Sequence, residues 1–150
     1  MNTEKFLEII DSTPLVSIDL IIENTNQMYL LGKRNNQPAQ GFWFVPGGRI
    51  RKNEKLGIAF ERISKCELGV ALNFSQAILL GAYDHIYKDN FHSKDGINTH
   101  YVALGYKITI EKNIHIKTDN QHSEIRWWAK DDLLKNSLIH DNTKNYFKNT

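Results

Sequence analysis

FWFVPGGRIRKNEKLGIAFERISKCELGV, residues 42–70, reads as a short aromatic strand, a Pro-Gly-Gly turn and an amphipathic helix that ends at Gly69. At about 100° per residue, Leu56, Ala59, Phe60, Ile63 and Cys66 fall on one stripe, as a helix packed on a sheet requires. Glu67 projects within roughly 20° of the middle of that stripe. Its carboxylate therefore faces inward, and a strand, loop and helix unit of this kind predicts chemistry at the joint.

An unpaired buried carboxylate is costly, so Glu67 needs a cation, an Arg or a metal as partner. The plainer reading is a carboxylate near a fraying helix end that snorkels to water just before the Gly69 cap. The paired glycines Gly47 and Gly48 favour the first reading. Glycine lets the backbone approach a ligand closely and can present main-chain carbonyls to a hard cation such as Mg²⁺. Cys66 is expected simply to fill the apolar stripe.

The spacing Gly48, five residues, Glu54, seven residues, Arg62, then Glu67 and Gly69 resembles the Nudix box. The usual box continues from its arginine as Arg-Glu-apolar-x-Glu-Glu-x-Gly. Here the run is Arg62, Ile63, Ser64, Lys65, Cys66, Glu67, Leu68, Gly69, so two customary glutamates are replaced by Ile63 and Cys66. Nudix diphosphohydrolases generally use that glutamate cluster to hold several metals and to activate the water that attacks phosphorus. With Glu67 alone remaining, a multi-metal cluster is not expected. STPLVS at 12–17, LLGKR at 30–34, PAQGFWFVPGGR at 38–49, THYV at 99–102 and Gln121-His122 make nearly the whole chain similar to one subgroup, the GDP-mannose mannosyl hydrolases.

Composition sets the bounds. The 150 residues, 41% hydrophobic, suffice for one globular domain over 1–150 with a sizeable core. Met1–Asp11 is no basic apolar presequence and no long apolar run occurs, so neither a signal peptide nor a membrane span is predicted, and a cytoplasmic location is the default. The lone Cys66 permits no intrachain disulfide and no thiolate zinc cluster. A net charge of +2 with dispersed Lys and Arg argues against nucleic acid as a partner. Any positive field must come from particular arginines.

Along the chain, Glu4 to Asp11 predicts a short helix stopped by Ser12-Thr13-Pro14, able to cap the core or reach a partner subunit. Leu15 to Glu23 and Met28 to Lys33 read as strands at hairpin distance. Asp19, between Ile18 and Leu20, is out of place in an apolar strand unless it is half-solvated or functional. Arg34 to Gly41 is a loop, and Arg34 and Arg49 frame the aromatic strand with guanidinium groups suited to diphosphate oxygens. Ser75 to Asp89 alternates, placing Tyr83, His85 and Tyr87 on one face and Asp84 and Ile86 on the other. After the polar loop Asn90 to Asn98, Thr99 to Ile110 returns as the second strand of a hairpin, with His100 and Tyr101 on opposite faces. Lys112 to Gln121 reads as a loop, Glu124 to Ala129 as a strand and Lys130 to Leu134 as the start of a helix. His140 to Thr150 is expected to form a loose helix.

The resemblance implies a Nudix fold, α/β or α+β in class, with a mixed sheet between helices. It also implies hydrolysis of GDP-mannose, or of another nucleotide sugar such as GDP-glucose, by water attack at the anomeric carbon. One Mg²⁺, with Mn²⁺ as a substitute, would sit on the Gly47 carbonyl, Glu67 and Gln121. Arg34, Arg49 and Tyr101 would donate to the charge on departing GDP, and His122 would be the general base. Asp19, Arg62 and His85 would hold sugar or phosphate groups, although Arg62 could equally buttress Glu67 or Glu54. A homodimer goes with the resemblance. Two rivals stand beside it: a diphosphohydrolase that cuts at phosphorus, and a non-catalytic nucleotide-binding module.

Overall fold

A computed structural model of the chain describes residues 1–111, 116 and 122–148, with the backbone alone at 122 and 123. The loop expected over Lys112–Gln121 lies, Ile116 apart, outside the described residues, and the proposed metal ligand Gln121 lies there too.

Strand β1 (Leu15–Asn24) organises a mixed sheet. Its alternation sends Ile18, Leu20 and Ile22 into one core and Ile21 into the other. Along its whole length it runs parallel to β6 (Thr99–Ile110), from Leu15 opposite Tyr101 to Asn24 opposite Ile110. The partner of β6 on its far side is β5 (Ile78–Tyr87), antiparallel, which is the expected second hairpin. Strand β2 (Met28–Arg34) does follow β1 at hairpin distance, but the ladder between them is short, with Glu23 opposite Tyr29. Beyond it β2 pairs instead with β3 (Trp43–Phe44) and β7 (His122–Ala129).

The Pro-Gly-Gly segment corrects the expectation of a turn. Gly47–Arg49 forms a strand, β4, antiparallel to β1 with Gly47 opposite Asp19 and Gly48 opposite Ile18. Both glycines serve close packing. A Cβ at Gly48 would lie 3.1 Å from Ile63 Cγ1, and one at Gly47 would collide with Asp19 Oδ1 and lie 2.6 Å from the Ile18 carbonyl oxygen.

Helix α2 (Leu56–Leu68) covers one face of the sheet, burying Ala59, Phe60, Ile63, Ser64, Glu67 and Leu68. Gly69 ends it at φ 78°, donating its N–H to the Lys65 carbonyl. Two members of the expected stripe are exposed. Leu56 opens the helix and is 42% exposed, and Cys66, which projects about 120° from Phe60, points to solvent and does not fill the core.

The other face carries the chain ends. Helix α1 (Thr3–Ser12), capped by the Asn2 side chain on the Lys5 N–H, buries Leu7 and Ile10 within its own subunit. It caps the core. Helices α3 (Lys130–Lys135) and α4 (Asp141–Lys144) follow β7. The expected loose terminal helix is a single short one, and the residues after it are anchored: Tyr146 and Phe147 are buried among Ile21, Tyr29, Leu31, Trp43 and Trp128. Among the described residues no helix is long and apolar enough to cross a membrane.

Candidate active site

A cleft of about 340 Å³ opens where β4 meets β1, lined among others by Asp19, Arg34, Gly47, Gly48, Arg49, Glu67, His85, Tyr87 and Tyr101. Seven of the ten residues singled out from the sequence therefore share one cavity. They come from β1, β2, β4, α2, β5 and β6, so the sheet itself sets their spacing.

Glu67 lies at the floor. Its Oε1 accepts the Gly47 N–H at 3.2 Å, while Oε2 is buried with no hydrogen-bond partner among the described residues. The residue is only 4% exposed, so the snorkelling reading fails. A buried carboxylate oxygen held by a backbone donor on one side and bare on the other fits a hard cation, for which oxygen donors are the natural ligands. Positions 63 and 66 add no further acid: Ile63 packs against Gly48 and Cys66 faces solvent.

Asp19 and His85 line the same cleft. Tyr146 donates its hydroxyl to Asp19 Oδ2 at 2.7 Å, and His85 Nδ1 stands 3.7 Å from the same oxygen. Burial pushes the Asp19 carboxyl up to about 7, against the pull of the Tyr146 hydroxyl and the Arg34 charge. Burial lowers His85 to about 4, helped by His140. Between those values both groups are neutral, and their contact is not an ion pair. His85 Nε2 is buried and has no partner among the described residues, which leaves it able to take a ligand hydroxyl.

The cations line the mouth. Arg34 donates Nε to the Asn36 carbonyl at 3.3 Å and lies 5.7 Å from the centre of the Phe44 ring. Arg49 lies 4.6 Å over the Phe6 ring. Burial raises the Tyr101 hydroxyl, and the charges of Arg34 and Arg49 pull it back, so all three act on one volume. The ring of Phe6, on α1, packs at 5.2 Å on that of Phe91, from the 90–98 loop, and both border the cleft.

Arg62 is not brought there. Its Nε and Nη2 donate to both oxygens of Glu54, at 2.6 and 2.9 Å, and Nη2 also reaches the Arg49 carbonyl at 2.8 Å. Its fork is spent on tying the loop before α2 to β4, so the buttress reading through Glu54 replaces the substrate contact. The backbone of His122 pairs with Arg34 across β7 and β2, beside the cleft, but its side chain lies outside the described residues. Tyr146 was missed from the sequence. The only local signal was an aromatic pair, Tyr146-Phe147, in a polar tail.

Known proteins share this fold. The NUDIX domain family model matches residues 13–149. The low-salt glycan biosynthesis protein Agl8 of Haloferax volcanii is 39% identical over 119 residues, 79% of this chain and 72% of that protein. The crystal structure of a MutT NUDIX hydrolase from Burkholderia pseudomallei superimposes with a TM-score of 0.73 at 27% identity, covering 91% of this chain and 98% of that one. The NUDIX domain of Shewanella oneidensis NrtR, solved as a complex with ADP ribose, shares the fold at a TM-score of 0.67 and 22% identity, covering 97% and 95%. With its mixed sheet, its helix α2 and its inward-facing Glu67, the chain belongs to the Nudix hydrolase family.

Proposed function

We propose that this Nudix protein hydrolyses GDP-mannose, or a close nucleotide sugar such as GDP-glucose, to GDP and free sugar, with water attacking the anomeric carbon. The observation that carries the reading is that Glu67 is the one acid α2 brings to the cleft, with Ile63 packed on Gly48 and Cys66 turned to solvent where a phosphorus-attacking Nudix box has further acids. Among the described residues no group of three His, Cys, Asp or Glu could hold a metal, whereas Glu67, the Gly47 carbonyl and Gln121 would hold one Mg²⁺ or Mn²⁺. Bound there, such an ion supplies charge neutralisation for a departing diphosphate.

The chain's own groups do the rest. Arg34, Arg49 and Tyr101 bind the diphosphate and stabilise the charge that grows on GDP as the bond to the sugar breaks. Asp19 and His85 take the sugar hydroxyls. His122 accepts the proton of the attacking water, a role suited to a side chain whose ordinary pKa lies near neutrality. Support for the ligand class comes from the glycan-biosynthesis relative and from a structural neighbour that holds ADP ribose. A homodimer, a cytoplasmic setting and a single domain over 1–150 complete the proposal, the first checked by sedimentation equilibrium.

The test is a product assay on a nucleotide-sugar panel. GDP and free sugar are expected, with mannose or glucose preferred; GMP and sugar 1-phosphate would return the protein to pyrophosphate cleavage, and no turnover at all would leave a binding module.

A further inference from the structure

Asp19 stands in a row that crosses the sheet, with Gly47 opposite it on β4, Gly105 opposite it on β6 and Gly81 opposite Gly105 on β5. The two glycines flanking Asp19 clear specific volumes. At Gly47 a Cβ would collide with Asp19 Oδ1, and at Gly105 it would lie 2.5 Å from Tyr146 Cε1. The missing side chain of Gly105 is thus the slot through which the Tyr146 ring reaches Asp19. The ring is 2% exposed and fixed edge-on by Tyr83 at 4.6 Å and by His85 at 5.7 Å. It spans 127 residues of sequence to place one hydroxyl 2.7 Å from Oδ2.

We propose that Tyr146 is a positioning residue for the nucleotide-sugar reaction: by donating to Oδ2 it fixes the rotation of the Asp19 carboxyl, so that Oδ1 stays over Gly47 at the cleft floor. The inference rests on the functional reading above, in which Asp19 takes a sugar hydroxyl. A buried carboxyl without this donor would be free to turn toward His85, whose Nδ1 stands 3.7 Å from Oδ2. Tyr146 needs no contact with substrate. Its effect is on where the Asp19 oxygens point, and it should be felt at the sugar and not at the nucleotide.

Y146F removes the hydroxyl and keeps the ring in its slot, so the fold should hold. Turnover of GDP-mannose, the affinity for GDP measured by calorimetry with Mg²⁺, and Tm are compared in wild type, Y146F, D19N and the double variant. Loss of a hydrogen bond to a carboxyl that orients substrate should lower kcat/KM about tenfold while GDP affinity stays within about twofold. In the D19N background the same change should cost under about twofold, because positioning residues act through their partner. An unchanged kcat/KM in Y146F, a full loss repeated in D19N, or an equal loss of GDP affinity overturns the proposal while leaving the functional reading standing. A wild-type protein that releases no sugar from any GDP-sugar takes both down together.

Discussion

Glu67 and Gly47, twenty residues apart, meet through a hydrogen bond from the Gly47 N–H to Oε1, while Oε2 of the same carboxylate is buried with no partner among the described residues. The arrangement orients a ligand oxygen at the cost of stability. E67Q should therefore lose activity steeply, on the order of 10²-fold, and lose its response to Mg²⁺. Its Tm without metal should equal or exceed that of wild type, because an uncompensated buried charge has been removed. Retained activity with an unaltered metal titration would dismiss Glu67 as a ligand.

His122→Gln should depress kcat by about 10²–10⁴-fold with little change in KM, since a general base acts in the transition state. The acid limb of the pH–rate profile should disappear with it. A residual rate that keeps the wild-type profile would remove His122 from the reaction.

Glu54 is held down to about 2, first by its hydrogen bonds to Arg62, against the opposing effect of burial. A depressed carboxyl stabilises the fold above its unfolded value of 4.5, and that contribution is lost as pH falls toward 2. E54Q should cost about 1–2 kcal/mol at pH 7 after allowance for the partly exposed Arg62, and much less at pH 2.5. Chemical denaturation at the two pH values checks this; an equal cost at both would detach Glu54 from the acid transition.

His85 works in a different window. Burial lowers it from 6.5 to about 4, so between those values the unfolded chain takes up a proton that the folded chain refuses. Stability from this group is complete above 6.5 and falls as pH drops to about 4. Asp19, raised from 3.8 to about 7, acts in the opposite sense over the same interval. H85N, which leaves Asp19 unopposed, should therefore make Tm fall as pH rises from about 4 to 6.5, and an unchanged slope would show that His85 is not the group responsible.

Much of this was legible in local pattern. The period of 3.6 residues located α2 and turned Glu67 inward, and the period of two put His85 and Tyr87 on one face of β5. What pattern could not supply was partnership across distance. Gly47 and Gly48 suggested a turn because paired glycines usually do, yet they form β4 because β1 offers a free edge there and only a residue without Cβ fits beside Asp19. Arg62 had two plausible uses until Glu54 was seen to accept both arms of its fork. Tyr146 looked like part of a loose tail, since nothing local reveals that Gly105 leaves room for its ring. Cys66 was placed on the stripe by residue type, although its angle puts it at the edge of the covered arc.

The central claim is that water attacks carbon, and hydrolysis in ¹⁸O-labelled water tests it most directly. Attack at phosphorus requires an acid-rich metal cluster, and Ile63 and Cys66 stand where such acids would be. Attack at carbon breaks the bond between the anomeric carbon and the bridging oxygen, leaves that oxygen on GDP and inverts the anomeric centre. Mass spectrometry should therefore find the label in the sugar and none in GDP, with β-mannose as the first-formed anomer; label in a phosphate group would contradict the account.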